Sequence, residues 1–199
     1  SSPAGTTVHS SIKDAYEREV AAKLAVDGVD QLKRSAATTA NSGTAVQPLL
    51  FKTSAANYGK NSELNSEVFG PCTFAVTCKD KEELFALANE LEGHLTATIF
   101  GDDEDFADYA DLVTVLERRA GRVIVNEYPT GVEVCPSMQH GGPYPASTDT
   151  RTTSVGTAAI DRFVRPVAFQ NFPQSLLPVE LQDENSLSIW RTVDGQLSK

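Results

Sequence analysis

Between residues 73 and 126 the apolar positions change twice from the two-residue period of a strand to the longer period of a helix. Thr73 to Cys78 has the β-prone, largely apolar character of a buried strand. Asp80 follows in a helix-capping place with Glu83 three residues on, and Leu84, Leu87, Ala88 and Leu91 then recur at helical spacing up to Gly93. That spacing predicts a capping box at the start and a left-handed glycine at the end. Leu95 to Phe100 predicts a second strand. Gly101 and the acidic run Asp102 to Asp105 open a second helix, with Phe106, Tyr109, Ala110, Val113 and Leu116 inward and Gly121 closing it. Arg122 to Asn126 predicts a third strand. The order β-α-β-α-β predicts an α/β fold whose strands run parallel with right-handed crossovers. Ligands are then expected near the carboxyl ends of the strands, where Asn126 stands.

The flanks are less regular. Ser11 to Val26 predicts a helix with Ile12, Tyr16 and Val20 on one face, and Pro48 to Lys52 a strand. Residues 36–43 are small and polar, as in an exposed loop. Pro129 to Ser154 is rich in Gly, Pro, Ser and Thr without periodicity, and loops of that length are often functional. A short helix at Val155 to Val164 and a strand at Pro166 to Gln170 follow. The final segment carries turn signals and predicts an arm that packs on a partner, which divides the chain into 1–174 and an extension at 175–199.

The chain has 199 residues, 40% of them hydrophobic, enough for one globular domain with an appendage. A formal charge of -10 repels phosphates and anionic lipid, so neither nucleic acid nor a membrane surface is an expected partner. The three cysteines, Cys72, Cys78 and Cys135, have no CxxC spacing and read as reduced packing thiols in a cytoplasmic protein. His9 precedes a helix and His94 opens a strand, so both read as structural. His140, beside Gly141 and Gly142, faces either a ligand or solvent. No carboxylate stands at metal-ligand spacing to these histidines, there is no GxSxG elbow, and Gly141-Gly142-Pro143 lacks the context of a P-loop. The run Asp102 to Asp105 reads as a solvated helix start rather than a cation loop.

Glu67-Val68-Phe69-Gly70-Pro71, set just before a strand, resembles the Glu-x-Phe-Gly-Pro signature of aldehyde dehydrogenases. Gly121 to Asn126 resembles that family's strand ending in Asn, and His140-Gly141-Gly142-Pro143-Tyr144 stands where most members have Pro-Phe-Gly-Gly. Pro129 to Val134, Gly141 to Ser147 and Arg162 to Val167 are similar to the branch that oxidises α-ketoglutaric semialdehyde. The resemblance covers nearly the whole chain and is weakest over the final segment. It implies the C-terminal portion of a parallel-sheet catalytic domain, with an oligomerisation arm, in a homodimer or higher homo-oligomer. It implies NADP or NAD as cofactor. Glu67 matches the glutamate that accepts hydrogen bonds from the nicotinamide ribose hydroxyls, and Phe69 the ring that packs beside the nicotinamide. By position, Asn126, Val132, Val134, His140 and Tyr144 are implied to shape the aldehyde tunnel, and Arg162 or Arg165 to hold a substrate carboxylate or to pair with the acidic surface.

The departures from the family matter as much. Its nucleophilic Cys and general-base Glu precede the Glu-x-Phe-Gly-Pro motif, and its dinucleotide is bound on an N-terminal Rossmann-like domain. None of the three cysteines lies at the nucleophile's place. The chain is therefore expected to be an inactive fragment by itself, to need that missing domain as partner, and to expose an apolar interface where it docks. Two other readings stand beside this one: an NADP-dependent fatty aldehyde dehydrogenase, and a non-catalytic interaction domain that kept the fold.

Overall fold

The structure, a computed structural model, describes residues 4–35 and 43–199. The polar stretch expected to form a loop at 36–43 lies outside the described residues except for Gly43. Strand β1 (Gly5–Thr6) pairs antiparallel with β3 (Ala45–Val46). Between them run helix α1 (Ser10–Leu24) and strand β2 (Asp30–Arg34). His9 caps α1, its Nδ1 accepting from the Ser11 N–H at 3.2 Å, which satisfies a donor the helix itself leaves unpaired. Ile12, Tyr16, Val20 and Lys23 form the inward stripe of α1, the last three buried. Strand β4 (Leu49–Ser54) alternates buried and open positions and lies between β2, antiparallel to it, and β5 (Cys72–Thr77), parallel to it. The core here is Tyr16, Val20, Val46, Leu49 and Phe51, with the Phe51 and Phe74 rings stacked at 4.6 Å. The crossover from β4 to β5 contains α2 (Ala55–Lys60), a 3-10 turn (Ser62–Asn65) and the Glu67–Pro71 motif.

Helix α3 (Lys81–Glu90) starts as its sequence predicts, with Asp80 Oδ1 accepting from the Glu83 N–H at 2.8 Å. The Glu83 carboxylate, however, reaches back to the Lys79 N–H rather than to Asp80. Strand β6 (His94–Ile99) follows, then α4 (Asp103–Asp108), α5 (Ala110–Glu117) and β7 (Ala120–Val125). Asp102 and Asp105 form a reciprocal capping box at the head of α4, so the acidic run is the helix start the sequence suggests. The single helix expected over this region is instead two, broken at Tyr109 (φ -114, ψ 22). The break changes the phase of the inner face: Leu112 and Leu116 are buried, whereas Ala110 and Val113 are exposed. With Ala88 they make the second core, on which Leu84, Phe85, Ala97, Ile99 and Val123 pack.

The strands are parallel where helices join them, β4 with β5 and β6 with β7. The expectation of one continuous β-α-β-α-β sheet is corrected. β5 ends one sheet, ordered β2-β4-β5, and β6 pairs only with β7 among the described residues. Helical crossovers fix the direction of strands but not their neighbours, which are chosen by contacts distant in sequence.

Residues 129–154 hold no helix or strand, as the sequence predicts, and the irregular stretch extends to take in Asn126, expected to end a strand, and residues 155–156, expected to start a helix. This loop is nonetheless anchored, because Gly141 and Gly142 are buried against the first residues of β6 and β7. A Cβ added at Gly121 would fall 1.9 Å from the Gly141 carbonyl oxygen, one at Gly93 2.1 Å from that of Pro143, and one at Gly142 2.4 Å from that of His94. Gly93 and Gly121 are therefore glycines of close backbone approach, not the helix-ending residues expected. Gly93 has no left-handed φ, and α3 closes at Leu91 in extended conformation.

The helix expected at 155–164 is a 3-10 turn, Thr157–Arg162. The strand expected at Pro166 to Gln170 does not form. Its residues are all exposed, and a β-prone run needs a partner strand to satisfy its backbone. Beyond it come two 3-10 turns and a hairpin of β8 (Arg191–Val193) and β9 (Gln196–Ser198). Large apolar side chains stand open along this segment, among them Phe172, Leu176, Trp190 and Leu197. The total accessible surface is 13818 Å², against roughly 9,100 Å² for a folded monomer of this mass. No helix among the described residues is long and apolar enough to cross a membrane.

Candidate functional site

The motif Glu67–Pro71 is held from below by α1. Tyr16 packs its ring where a Gly70 side chain would otherwise lie, with an added Cβ falling 2.2 Å from Cδ2. Its hydroxyl donates to the Gln47 carbonyl at 2.8 Å and lies 3.5 Å from the Pro71 carbonyl. Burial, together with the Cys72 thiol nearby, pushes the Tyr16 phenol up to about 12. Val68 packs into the core beneath. The chain therefore turns Val68 inward and leaves the residues either side of it, Glu67 and Phe69, facing solvent.

No group donates to the Glu67 carboxylate among the described residues. It borders a cleft of about 860 Å³ whose other walls include Ser66, Glu92, His94, Thr96 and Pro145. The Phe69 ring is 69% exposed, although a side chain of that size ordinarily contributes to stability by being buried. An unpaired carboxylate next to an uncovered aromatic ring suits a ligand with hydroxyl donors and a flat face. An acceptor beside an aromatic face fits the ribose hydroxyls and ring of a nicotinamide coenzyme.

The other residues singled out in the sequence fall in two places. Asn126 stands at the carboxyl ends of β6 and β7 with φ 53. Its Oδ1 accepts from the Gly101 N–H at 3.0 Å and its Nδ2 donates to the Gly101 carbonyl at 2.9 Å, so the side chain ties the two strand ends together. His140 lies across the opposite ends of these strands, in the loop that carries Gly141 and Gly142. Its N–H donates to Thr153 Oγ1 at 2.8 Å, and its carbonyl accepts from Ser154. Tyr144 is exposed, next to Pro145 in the wall of the Glu67 cleft. Val132 is half-buried and Val134 exposed, in the stretch where Arg122 Nη1 donates to the Gly131 carbonyl at 2.9 Å. Arg162 and Arg165 are exposed. Within the chain, Arg151 makes a fork of its own: its Nε and Nη2 each lie 3.0 Å from an oxygen of Asp149. The Arg151 guanidinium holds the Asp149 carboxyl down to about 2, with Arg162 a smaller contribution.

His94 is in the cleft with Glu67, which its place at the start of a strand gave no reason to expect; only the fold brings residues 67 and 94 together. The cysteines are free thiols. Burial raises the pKa of Cys72, and burial with Glu83 and Asp80 nearby raises that of Cys78, the opposite of what an activated nucleophile needs. The described residues contain no group of three or more His, Cys, Asp or Glu side chains placed to hold a metal ion.

The sequence profile described as "Aldehyde dehydrogenase family" matches residues 2–165. The chain belongs to the aldehyde dehydrogenase family. It is 44% identical over 197 residues to alpha-ketoglutaric semialdehyde dehydrogenase 2 of Azospirillum brasilense, covering 98% of this chain and 37% of that protein. To the alpha-ketoglutaric semialdehyde dehydrogenase of Acinetobacter baylyi it is 49% identical over 139 residues, which is 70% of this chain and 26% of the relative. The chain thus spans between a quarter and two-fifths of the length of these curated relatives. Among solved structures, an NAD+ complex of aldehyde dehydrogenase from Bacillus cereus superposes with a TM-score of 0.61 at 19% identity, over 81% of this chain and 30% of that one. Succinic semialdehyde dehydrogenase from Streptococcus pyogenes, in complex with NADP+, gives 0.53 at 20% identity, over 69% of this chain and 28% of that one. At such identities these two establish the fold alone.

Proposed function

We propose that this chain supplies part of an NAD(P)-dependent aldehyde dehydrogenase that oxidises a small aldehyde, α-ketoglutaric semialdehyde, to its carboxylic acid through a cysteine thioester. The curated relatives bear that substrate in their names. The observation that carries the coenzyme part is the Glu67 carboxylate, without a partner among the described residues and bordering a cleft of about 860 Å³, next but one to an uncovered Phe69 ring.

Glu67 takes the two ribose hydroxyl donors as an acceptor-only group. Phe69 lies against the nicotinamide and excludes water from one side of it. When bound, the coenzyme accepts the hydride that leaves the aldehyde carbon. The raised pKa of Cys72 and of Cys78 speaks against either of them as the nucleophile, and on this reading another segment of the enzyme contributes it. On this reading the chain by itself does not turn over. A partner domain that binds the rest of the dinucleotide covers part of the excess surface, and the open apolar segment at 175–199 packs on a second copy. Val132, Val134, His140 and Tyr144 shape the aldehyde tunnel, and Arg162 or Arg165 meets the substrate carboxylate. Asn126, by its two bonds to Gly101, acts by keeping the strand ends in register.

The test is steady-state kinetics of the whole enzyme that contains this chain, comparing α-ketoglutaric semialdehyde with a long-chain aldehyde, in wild type and Phe69→Ala. The expected result is a higher kcat/KM for the semialdehyde and a loss of kcat in the variant. Preference for the long-chain aldehyde would favour the fatty aldehyde reading, and no coenzyme reduction with either would favour a pure interaction domain.

A further inference from the structure

Lys23 is the one basic residue among the buried polar side chains of the described residues, with 2% of its surface exposed. It continues the inward stripe of α1 after Ile12, Tyr16 and Val20, where periodicity calls for an apolar residue. Burying an ammonium group is costly unless all its donors are met. Here they are. Nζ donates to the Ser66 carbonyl at 2.9 Å, to Ser66 Oγ at 2.7 Å, and to the Glu63 carbonyl. Ser66 Oγ in turn donates to the Glu63 carbonyl at 2.9 Å. Every partner of this lysine belongs to the turn that ends immediately before Glu67.

The same helix holds the other end of the motif. Tyr16, two turns earlier on the inward face, fills the space at Gly70 and places its hydroxyl beside Pro71. Residues 66 and 70 are thus fixed by one rigid element, and Glu67 to Phe69 form a short bridge between the two fixed points. A carboxylate that must meet two hydroxyls gains most when its backbone is already set, because ordering it on binding would subtract from affinity.

We propose that Lys23 is a positioning residue for coenzyme binding: by closing the 63–66 turn it fixes where the Glu67 carboxylate sits, without itself touching the coenzyme. The inference rests on the reading of Glu67 given above. It also explains why the position tolerates the cost of a buried lysine when a leucine or methionine would fill the core more cheaply.

The experiment measures coenzyme dissociation constants by titration calorimetry on the whole enzyme in four forms: wild type, Lys23→Met, Glu67→Gln, and the double variant. The aldehyde and coenzyme KM values are measured alongside. Lys23→Met is expected to weaken coenzyme binding about tenfold, the size of one charge-assisted hydrogen bond, with the aldehyde KM within about twofold. The double variant is expected to bind no more than about twofold more weakly than Glu67→Gln alone, since coupled residues are not additive. Wild-type affinity in Lys23→Met, or losses that multiply in the double variant, would overturn the proposal while leaving the role of Glu67 intact. Unchanged affinity in Glu67→Gln would instead overturn that role, and this proposal with it. Should Lys23→Met fail to fold, Ser66→Ala decides the matter. It removes one exposed acceptor from the turn and is expected to weaken coenzyme binding about threefold; unchanged affinity there overturns the proposal.

Discussion

The ring of Tyr16 occupies the place a side chain at Gly70 would need, with an added Cβ falling 2.2 Å from one ring carbon and 2.7 Å from another. The glycine of the Glu-x-Phe-Gly-Pro motif is therefore required by packing against α1, and not by a left-handed backbone, since Gly70 has none. Gly70→Ala is expected to destabilise the fold by about 1–3 kcal/mol, as overpacking does, and to raise the coenzyme KM by displacing Phe69. Gly131→Ala, where an added Cβ meets nothing within 4 Å, serves as the control. Thermal unfolding of the two variants measures the difference, and equal midpoints would remove the packing argument.

Tyr16 also predicts a specific alkaline response. Its phenol is raised to about 12 by burial, so the unfolded chain ionises near the ordinary value of 10 while the folded one does not. The stabilisation is complete below pH 10 and is lost as pH rises from 10 to about 12. Lys23, with its pKa lowered by burial, works in the opposite sense over the alkaline range. The difference between wild type and Tyr16→Phe isolates the tyrosine. Tyr16→Phe is expected to cost about 1 kcal/mol at neutral pH through loss of the bond to Gln47, and to show a shallower decline above pH 10. Parallel pH profiles would contradict this.

The opposite sign holds at acid pH for Asp149. Arg151 keeps its carboxyl at about 2, below the ordinary 3.8, so its contribution is present above pH 3.8 and is lost as pH falls to about 2. Replacing Arg151 by Gln is expected to return the Asp149 titration toward the ordinary value, read by NMR. An unchanged titration would show that Arg162 or the backbone holds it instead.

Much of the local structure was legible in the sequence because its causes are local. Asp80 caps α3 and Asp102 caps α4 through bonds to residues three positions on, and such spacing is visible without a fold. The break at Tyr109 was not legible, since the same apolar positions suit one helix or two. Nor was the separation of β5 from β6, because pairing depends on which distant strand arrives alongside. Gly93 and Gly121 look like helix punctuation until the 141–143 backbone is seen lying against them. In the candidate site, Glu67 and Phe69 were legible as a motif. Lys23 was not, because a lysine in the last turn of a helix ordinarily faces water.

The thiols give a further prediction. Cys72 and Cys78 both have raised pKa values, so the whole enzyme carrying Cys72→Ser and Cys78→Ser is expected to keep its turnover within about threefold, because a thiol that resists ionisation is a poor nucleophile. Loss of turnover with the fold intact would place the chemistry on one of them.

The approach of the 141–143 backbone to β6 and β7 makes Gly121→Ala the severest of the glycine changes, since the obstacle at 1.9 Å is a carbonyl oxygen and not a flexible side chain. A loss of about 2–4 kcal/mol is expected, with the aldehyde KM raised as Tyr144 is displaced. Unfolding midpoints and substrate kinetics of the whole enzyme check both. A neutral effect would mean that the loop is not anchored there.

On the proposed function, the Glu67 carboxylate grips the coenzyme through its ribose hydroxyls. Calorimetric titration of NAD+ and NADP+ into the whole enzyme and its Glu67→Gln variant tests it most directly. An amide in place of the acceptor-only carboxylate is expected to weaken the preferred coenzyme by about 1.5–3 kcal/mol, roughly ten- to a hundredfold. Equal dissociation constants in wild type and variant would contradict the account.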